Sequence, residues 1–80
     1  MTGERYFGLY HAVVVNDSDP EGLRRLQVEV PDVFGHGHGW AQACVPVGSS
    51  GQPPAGSRVW VMFEAGDPAR PVWLGMAAAG

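Results

Sequence analysis

Two histidines in the segment His36-Gly37-His38 are the residues best placed to bind a metal ion. Imidazoles two positions apart can both reach one ion, and histidine is a frequent ligand of transition metals. Two ligands are too few for one chain to hold an ion, and the glycines of this stretch predict a flexible loop open to solvent. We therefore expect no bound metal and no cofactor.

Residues that could act in catalysis are not gathered into a site. A serine or cysteine nucleophile needs a base and an orienting acid in contact with it. Ser49 and Ser50 belong to a loop of glycine and proline, and no histidine stands near Cys44 in the sequence. Three carboxylates that could form an acid–base pair are more typical of a solvated loop: Asp17, Asp19 and Glu21. We expect no catalytic residues and no enzymatic activity.

Composition and charge restrict the class of partner. The chain has 80 residues, five arginines against eight acidic residues, and a net charge of -3. Proteins that bind nucleic acid concentrate basic residues on one surface, where they displace the counterions of phosphate. The arginines are scattered here, so we expect no nucleic-acid partner. The length predicts a single domain over residues 1–80, with flexible ends at 1–5 and 77–80.

A domain this small has a thin core and commonly needs a further source of stability. Cys44 is the only cysteine, so no disulfide can form within the chain. Its neighbours Ala43 and Val45 are apolar and predict a buried thiol on a strand. Association with other chains is then the remaining source of additional stability.

Alternation of apolar and polar residues predicts five short strands and no helix. The strands are Leu9–Val15, Arg24–Val30, Trp40–Val45, Ser57–Glu64 and Val72–Gly75. Pro31 ends the second strand, since proline cannot donate to the ladder, and Pro46–Gly56 is a loop. The pattern predicts an all-β protein, a small five-stranded OB-type barrel whose closure leaves few free sheet edges. An SH3-like barrel is the alternative that the pattern leaves open.

Large apolar side chains fall on both faces of the last two predicted strands. Trp60 and Met62 alternate with the core residues of the fourth strand, and Trp73 alternates with Val72 and Leu74 on the fifth. A monomer of this size cannot bury both faces, so we expect the outward set to contact a partner. With two aromatic residues that precede the first strand, this set is the predicted oligomer interface: Tyr6, Phe7, Trp60, Met62 and Trp73.

The connection between the last two strands predicts a tight hairpin. Gly66 can adopt a positive φ, and Pro68 presets a turn dihedral. Asp67 can accept a hydrogen bond from the backbone of its own turn. Arg70 can pair with Asp67 or with Glu64 at an exposed position, where such a pair contributes less than about 1 kcal/mol.

At this point the sequence resembles a known family. Gly56–Gly75, with its strand, acidic turn, Arg-Pro pair and second strand, is similar to the end of the OB domain in phage baseplate spikes. The same domain occurs in the valine–glycine repeat spikes of type VI secretion and in extracellular contractile injection particles. Asp19–Pro31 resembles the loop and second strand of that domain, and Trp40 stands where the family carries an aromatic residue. The resemblance extends over Tyr10–Gly75.

The resemblance implies a structural component of the baseplate or central spike of a contractile, phage-tail-like injection machine. In that family three OB domains pack around the tail axis as a homotrimer, between a baseplate hub protein and a spike or needle-tip protein. The sequence reaches Gly80 without β-helical repeats. We therefore expect the piercing portion in another chain or in a further part of a longer protein.

The N-terminus lacks the charged-then-apolar order of a signal peptide, and no stretch approaches the roughly 18 apolar residues of a membrane span. We expect synthesis in the cytoplasm, no stable membrane association before injection, and later incorporation into a phage tail or injection particle.

A nucleic-acid- or carbohydrate-binding OB domain is the alternative function. It requires exposed aromatic residues on the second and third strands within a basic surface. The outward residues of the second strand are Arg25, Gln27 and Glu29, with no aromatic among them. The sequence therefore favours the structural role.

Overall fold

The computed structural model describes residues 4–35, 37–49 and 51–77. Its strands are β1 (Tyr10–Asn16), β2 (Leu26–Glu29), β3 (His38–Ala43), β4 (Arg58–Phe63) and β5 (Pro71–Met76). They close into one barrel in the order β1-β2-β3-β5-β4. The prediction of an all-β, five-stranded OB-type barrel is confirmed, with strand bounds that differ by up to two residues. The predicted flexible ends fall mostly on residues outside the described part of the chain.

Neighbouring strands are antiparallel except for β3 and β5, which are parallel. The connection from β3 to β4 therefore crosses one end of the barrel before the chain returns along β5. It comprises the Pro46–Gly56 stretch that the sequence predicts as a loop. Irregular pairing occurs between Val14 and Asn16 on β1 and between Trp60 and Val61 on β4. Such bulges bend strands and help a small sheet to close.

One short helix, α1 (Pro31–Phe34), lies between β2 and β3, where we expected none. Proline suits the first turn of a helix because the N–H that it lacks would have no partner there. A single turn is too short for apolar periodicity to reveal it. Phe34 nevertheless matters to the core, since its ring packs edge-on against Phe63 with centroids 5.9 Å apart.

The core is built mainly from aliphatic residues, together with one phenyl ring and one indole. Its fully or nearly buried members are Ala12, Val14, Leu26, Val28, Val30, Ala41, Val59, Val61, Phe63 and Trp73. Because successive residues of a strand point to opposite faces, this set also fixes which residues face outward. On β4 the inward residues are Val59, Val61 and Phe63, which are the core residues that the sequence predicts for this strand.

The prediction that Trp73 faces outward is wrong. Its side chain is only 3% exposed, and its indole N–H donates to the backbone carbonyl of Arg24 at 3.1 Å. The reason is register: Val61 pairs with Trp73, so the two residues share the inner face. Val72 and Leu74, which the sequence suggests for the core, are half-buried on the outer side instead.

Cys44 is also misplaced by the sequence prediction, since its free thiol is exposed rather than buried. β3 ends at Ala43, and the alternation that buries Ala41 turns Cys44 outward. Its backbone N–H still donates to the Trp73 carbonyl at 3.0 Å. Ala43 and Val45 are half-buried and pack against the core, so the apolar neighbours point inward while the thiol between them faces water.

Candidate functional site

The outer side of β1, β4 and β5 carries a continuous set of mostly apolar side chains. β4 lies between the other two strands in the barrel order. Residues that alternate with buried ones point outward along each strand. We call this set the apolar face: Leu9, His11, Val13, Trp60, Met62, Val72 and Leu74.

Cross-strand pairs make the apolar face a coherent surface. His11 lies opposite Trp60, and their rings are tilted by 43° with centroids 4.0 Å apart. Met62 lies opposite Val72 on the other side of β4. Met62 remains 43% exposed beside this apolar neighbour. Contiguous apolar surface of this kind is typical of an interaction site.

The charge of this surface is low. It contains no carboxylate, and its titratable member is His11. Arg58 borders it on β4, opposite Val13, and is exposed. Within the described residues, Arg58 forms no ion pair. A protein that covers the apolar face can therefore bury it without separating ion pairs of this chain.

The two aromatic residues before β1 have different environments. Tyr6 donates its backbone N–H to the Gly66 carbonyl at 2.8 Å, and its ring packs near Tyr10 and Phe63. Its hydroxyl donates to the Glu4 carboxylate, and this hydrogen bond raises the pKa of Tyr6. Phe7 is 70% exposed, yet its ring edge lies over Gly66. Tyr6 thus closes one end of the barrel, whereas Phe7 projects from it.

The structure thus brings together only part of the predicted interface. Trp60 and Met62 share the apolar face, Phe7 is exposed near the barrel end, Tyr6 is half-buried, and Trp73 belongs to the core. Whether the outward members contact another chain stays a prediction. Sequence reasoning missed the remaining members of the face: Leu9, His11, Val13, Val72 and Leu74.

The turn between β4 and β5 has the geometry that the sequence predicts. Gly66 has a φ of 76°, and the residue before it, Ala65, also lies in the left-handed region at 53°. Asp67 accepts the backbone N–H of Ala69 at 2.9 Å and the Arg70 guanidinium at 3.2 Å. These bonds, the backbone one first, lower the pKa of Asp67. A second contact joins Arg70 to Glu64 at 3.6 Å.

Asp19 organises the loop between β1 and β2. Its carboxylate accepts the backbone N–H groups of Glu21, Leu23 and Arg25 and forms two bonds with the Arg25 guanidinium. The Arg25 side chain in particular holds the pKa of Asp19 well below its usual range. The Asp19 side chain is 3% exposed, so the prediction of a solvated carboxylate is wrong at this position.

Arg24, the next residue along this loop, joins it to the loop between β3 and β4. Its guanidinium donates to the Ser49 carbonyl at 2.9 Å, to the Ser49 hydroxyl at 3.0 Å and to the Gly51 carbonyl. Its backbone adopts a φ of 62°, which is unusual for a residue with a side chain. Its carbonyl accepts the Trp73 indole N–H. One residue thus connects two long loops with the core.

The outer side of β2 and β3 is polar. Glu29 and His38 lie opposite each other, with 3.5 Å between carboxylate and imidazole. The Arg25 guanidinium lies 5.1 Å from the centre of the Trp40 ring. A groove of about 390 Å³ runs beside Trp40 and also includes Arg70. Both arginines of this groove are already paired with carboxylates of their own loops.

Metal-binding residues are not gathered in the part of the chain that the structure describes. There, no three His, Cys, Asp or Glu residues lie close enough to hold an ion. His38 contacts Glu29 alone among such groups, and His36 lies outside the described residues. Across the described ranges, the structure also has no helix of the length and apolarity needed to cross a membrane.

Comparison with known proteins identifies the family. Among curated proteins, no sequence matches the chain. A family model described as the type VI secretion system/phage-baseplate injector OB domain matches residues 10–77, which include all five strands. This match agrees with the closed barrel and decides between the OB and SH3-like alternatives. The chain belongs to the family of phage-baseplate and type VI secretion injector OB domains, whose role is structural.

Proposed function

We propose that this domain forms a homotrimeric ring in the baseplate or central spike of a contractile injection machine, where it joins the hub to the piercing spike. The observation that carries the proposal is the apolar face. It spans three neighbouring strands, includes an indole and a thioether, and has no carboxylate. A surface of this kind is stable in water when a partner covers it.

A ring of three copies is a natural way to cover this surface. In a cyclic trimer, each copy presents one surface to the next copy and a second surface to the previous one. The apolar face provides the first surface. We propose that Phe7, exposed at the barrel end, contacts the same neighbour, while the bond from Tyr6 to Gly66 fixes the segment that carries it.

The remaining elements of the proposal follow from the structural role. The other proteins that the domain contacts are the baseplate hub and a spike or needle-tip protein. The domain performs no catalysis and carries no cofactor. We propose synthesis in the cytoplasm, no stable membrane association before injection, and incorporation into a tail or particle.

Nucleic-acid or carbohydrate binding has less support. The groove beside Trp40 lies on the side of β2 and β3, as that function requires. However, Arg25 and Arg70 already bind carboxylates, so the groove offers no surplus of positive charge to phosphate. Retention of single-stranded DNA on a filter at low salt would favour this alternative over the structural role.

The decisive experiment is the mass of the purified domain in solution. Sedimentation equilibrium over a range of concentrations should show a monomer–trimer equilibrium. Met62→Glu should shift that equilibrium towards the monomer, because burial of a carboxylate in an apolar interface is strongly unfavourable. Val47→Glu is the matched control, since Val47 is fully exposed in the loop between β3 and β4, is not a member of the apolar face and should tolerate the charge.

Two outcomes would contradict the proposal. One is a monomer at every concentration, and the other is an equal loss of association in both variants. An image of the intact particle tests the rest, because three copies of this domain should surround the tail axis between hub and spike.

A further inference from the structure

We propose that assembly of the trimer is coupled to loss of a proton from His11, so that the ring forms at neutral pH and dissociates at mildly acidic pH. This inference rests on the proposed function. It concerns the regulation of the apolar face. The observation behind it is the position of the His11 imidazole within that face.

His11 lies at the β1 edge of the apolar face, beside its central strand β4. Its outward neighbours along the chain are Leu9, just before β1, and Val13 on β1, and across the strand pair it lies opposite Trp60. The imidazole is exposed and packs on the indole with ring centroids 4.0 Å apart. A partner that covers Trp60 must therefore also cover His11.

Among the residues that the structure describes, no carboxylate forms an ion pair with His11. On β4 the nearby charge is Arg58, and the outward residues of β5 are uncharged. On β2, Glu29 lies opposite Val13 but contacts His38 at 3.5 Å. Asp32 on α1 is exposed and, within the described residues, forms no ion pair.

The N-terminal segment, where the structure describes it from Glu4 onwards, also provides no counter-ion. Glu4 accepts the hydroxyl hydrogen bond of Tyr6, and Arg5 lies beside Gly66. A charged imidazole on the apolar face therefore depends on water and on the indole ring for its stabilisation.

Covering the face changes this balance. Histidine side chains ordinarily gain their proton between about pH 5 and 8. In the free protein, a charged imidazole is hydrated and is attracted by the ring of Trp60. In the assembly, the water is removed and the positive charge of Arg58 stays nearby, so the uncharged imidazole is favoured. Burial of the neutral ring on an indole has no such penalty.

The sign of the effect follows from proton counting. The assembled state binds fewer protons at His11 than the separate chains do, so association strengthens as pH rises and weakens as pH falls. Three copies bury three imidazoles. The trimer association constant should therefore change by roughly one to three powers of ten per pH unit where the histidines titrate, according to the number of protons released.

Sedimentation equilibrium of the whole domain at steps between pH 5 and pH 8 tests the inference. The wild-type protein should be mainly trimeric at pH 8 and mainly monomeric at pH 5. His11→Gln should associate to a similar extent at every pH, because glutamine carries no charge. His38→Gln is the matched control: it removes an exposed histidine from the polar side and should keep the wild-type pH dependence. Circular dichroism at each pH confirms that the barrel stays folded.

The outcomes separate this inference from the proposed function. A trimer of equal strength at every pH overturns the coupling and leaves the trimer intact. Stronger association at acidic pH also overturns it, since the neighbouring copy would then supply a carboxylate to His11. Persistence of the pH dependence in His11→Gln, or its loss in His38→Gln, assigns the effect to another group. Absence of a trimer at any pH refutes the proposed function and this inference together.

Discussion

The two halves of the barrel's outer surface differ in how completely the chain itself satisfies them. On the side of β2 and β3, Glu29 contacts His38, and Arg25 is bound to Asp19. On the side of β1, β4 and β5, apolar side chains face water, and the bordering Arg58 forms no ion pair with any described residue. Both halves enclose the same core, so stability of the fold does not explain the difference. The charged groups of the polar half are paired within the chain, whereas the apolar half is suited to burial against another protein chain.

The largest expected effect tests the boundary between the core and the apolar face. Trp73→Ala should lower the free energy of unfolding by about 3–5 kcal/mol, because it leaves a cavity and frees the Arg24 carbonyl. Met62→Ala, on the outer side, should change the unfolding of the monomer by less than about 1 kcal/mol. Urea denaturation followed by circular dichroism at low protein concentration measures both. Equal losses would show that the inner and outer sides of the hairpin are not distinct.

A smaller effect is expected at the end of the barrel, where the N-terminal segment crosses the β4–β5 turn. Gly66→Ala should destabilise the domain by about 1–3 kcal/mol, since a left-handed φ strains alanine. Its Cβ would also lie 2.8 Å from the Phe7 ring. Gly75→Ala is the control, because that position has open space around it. Thermal unfolding compares the two variants, and an equally stable Gly66→Ala would contradict the described packing.

The next prediction concerns the ion pair that anchors the polar half. The pKa of Asp19 is lower in the folded chain than in the unfolded one, so its ionised form stabilises the fold. This contribution is complete above the ordinary aspartate pKa of about 3.9 and is lost as pH falls below it. Asp19→Asn should have a lower melting temperature than the wild type at pH 6, and the gap should narrow towards pH 2. A constant gap would mean that the carboxylate charge is unimportant.

The smallest effect belongs to the exposed pair of Glu29 and His38. Glu29→Gln should alter the free energy of unfolding by less than about 1 kcal/mol, because water screens the pair. It should also leave the monomer–trimer equilibrium unchanged, which sedimentation can check. A clear gain in association would show that charge on the polar half prevents contact there.

Local chemistry made much of the fold predictable. The hairpin turn depends on Gly66, Asp67 and Arg70, which lie within five residues of one another, and its predicted hydrogen bonds are present. The five strands were recognisable because alternation is a property of each segment alone. The family resemblance, carried by the same hairpin, was confirmed over residues 10–77.

Features that depend on pairing between distant segments were not predictable. The orientation of Trp73 follows from its pairing with Val61, close to the irregularity at Trp60. A one-residue shift in such a hairpin exchanges the two faces. The aliphatic side chains of Val72 and Leu74 therefore led to the wrong assignment of the inner face. His11 joins the candidate site only because β1 pairs with β4, and Asp19 is buried by a loop whose closure the sequence does not reveal.

Arg24 gives the domain a mechanical property. Because it is bonded both to the loop between β3 and β4 and, through its carbonyl, to Trp73, compression of either long loop is transmitted directly to the barrel wall. The end of the barrel formed by these loops should therefore respond to a load as one unit.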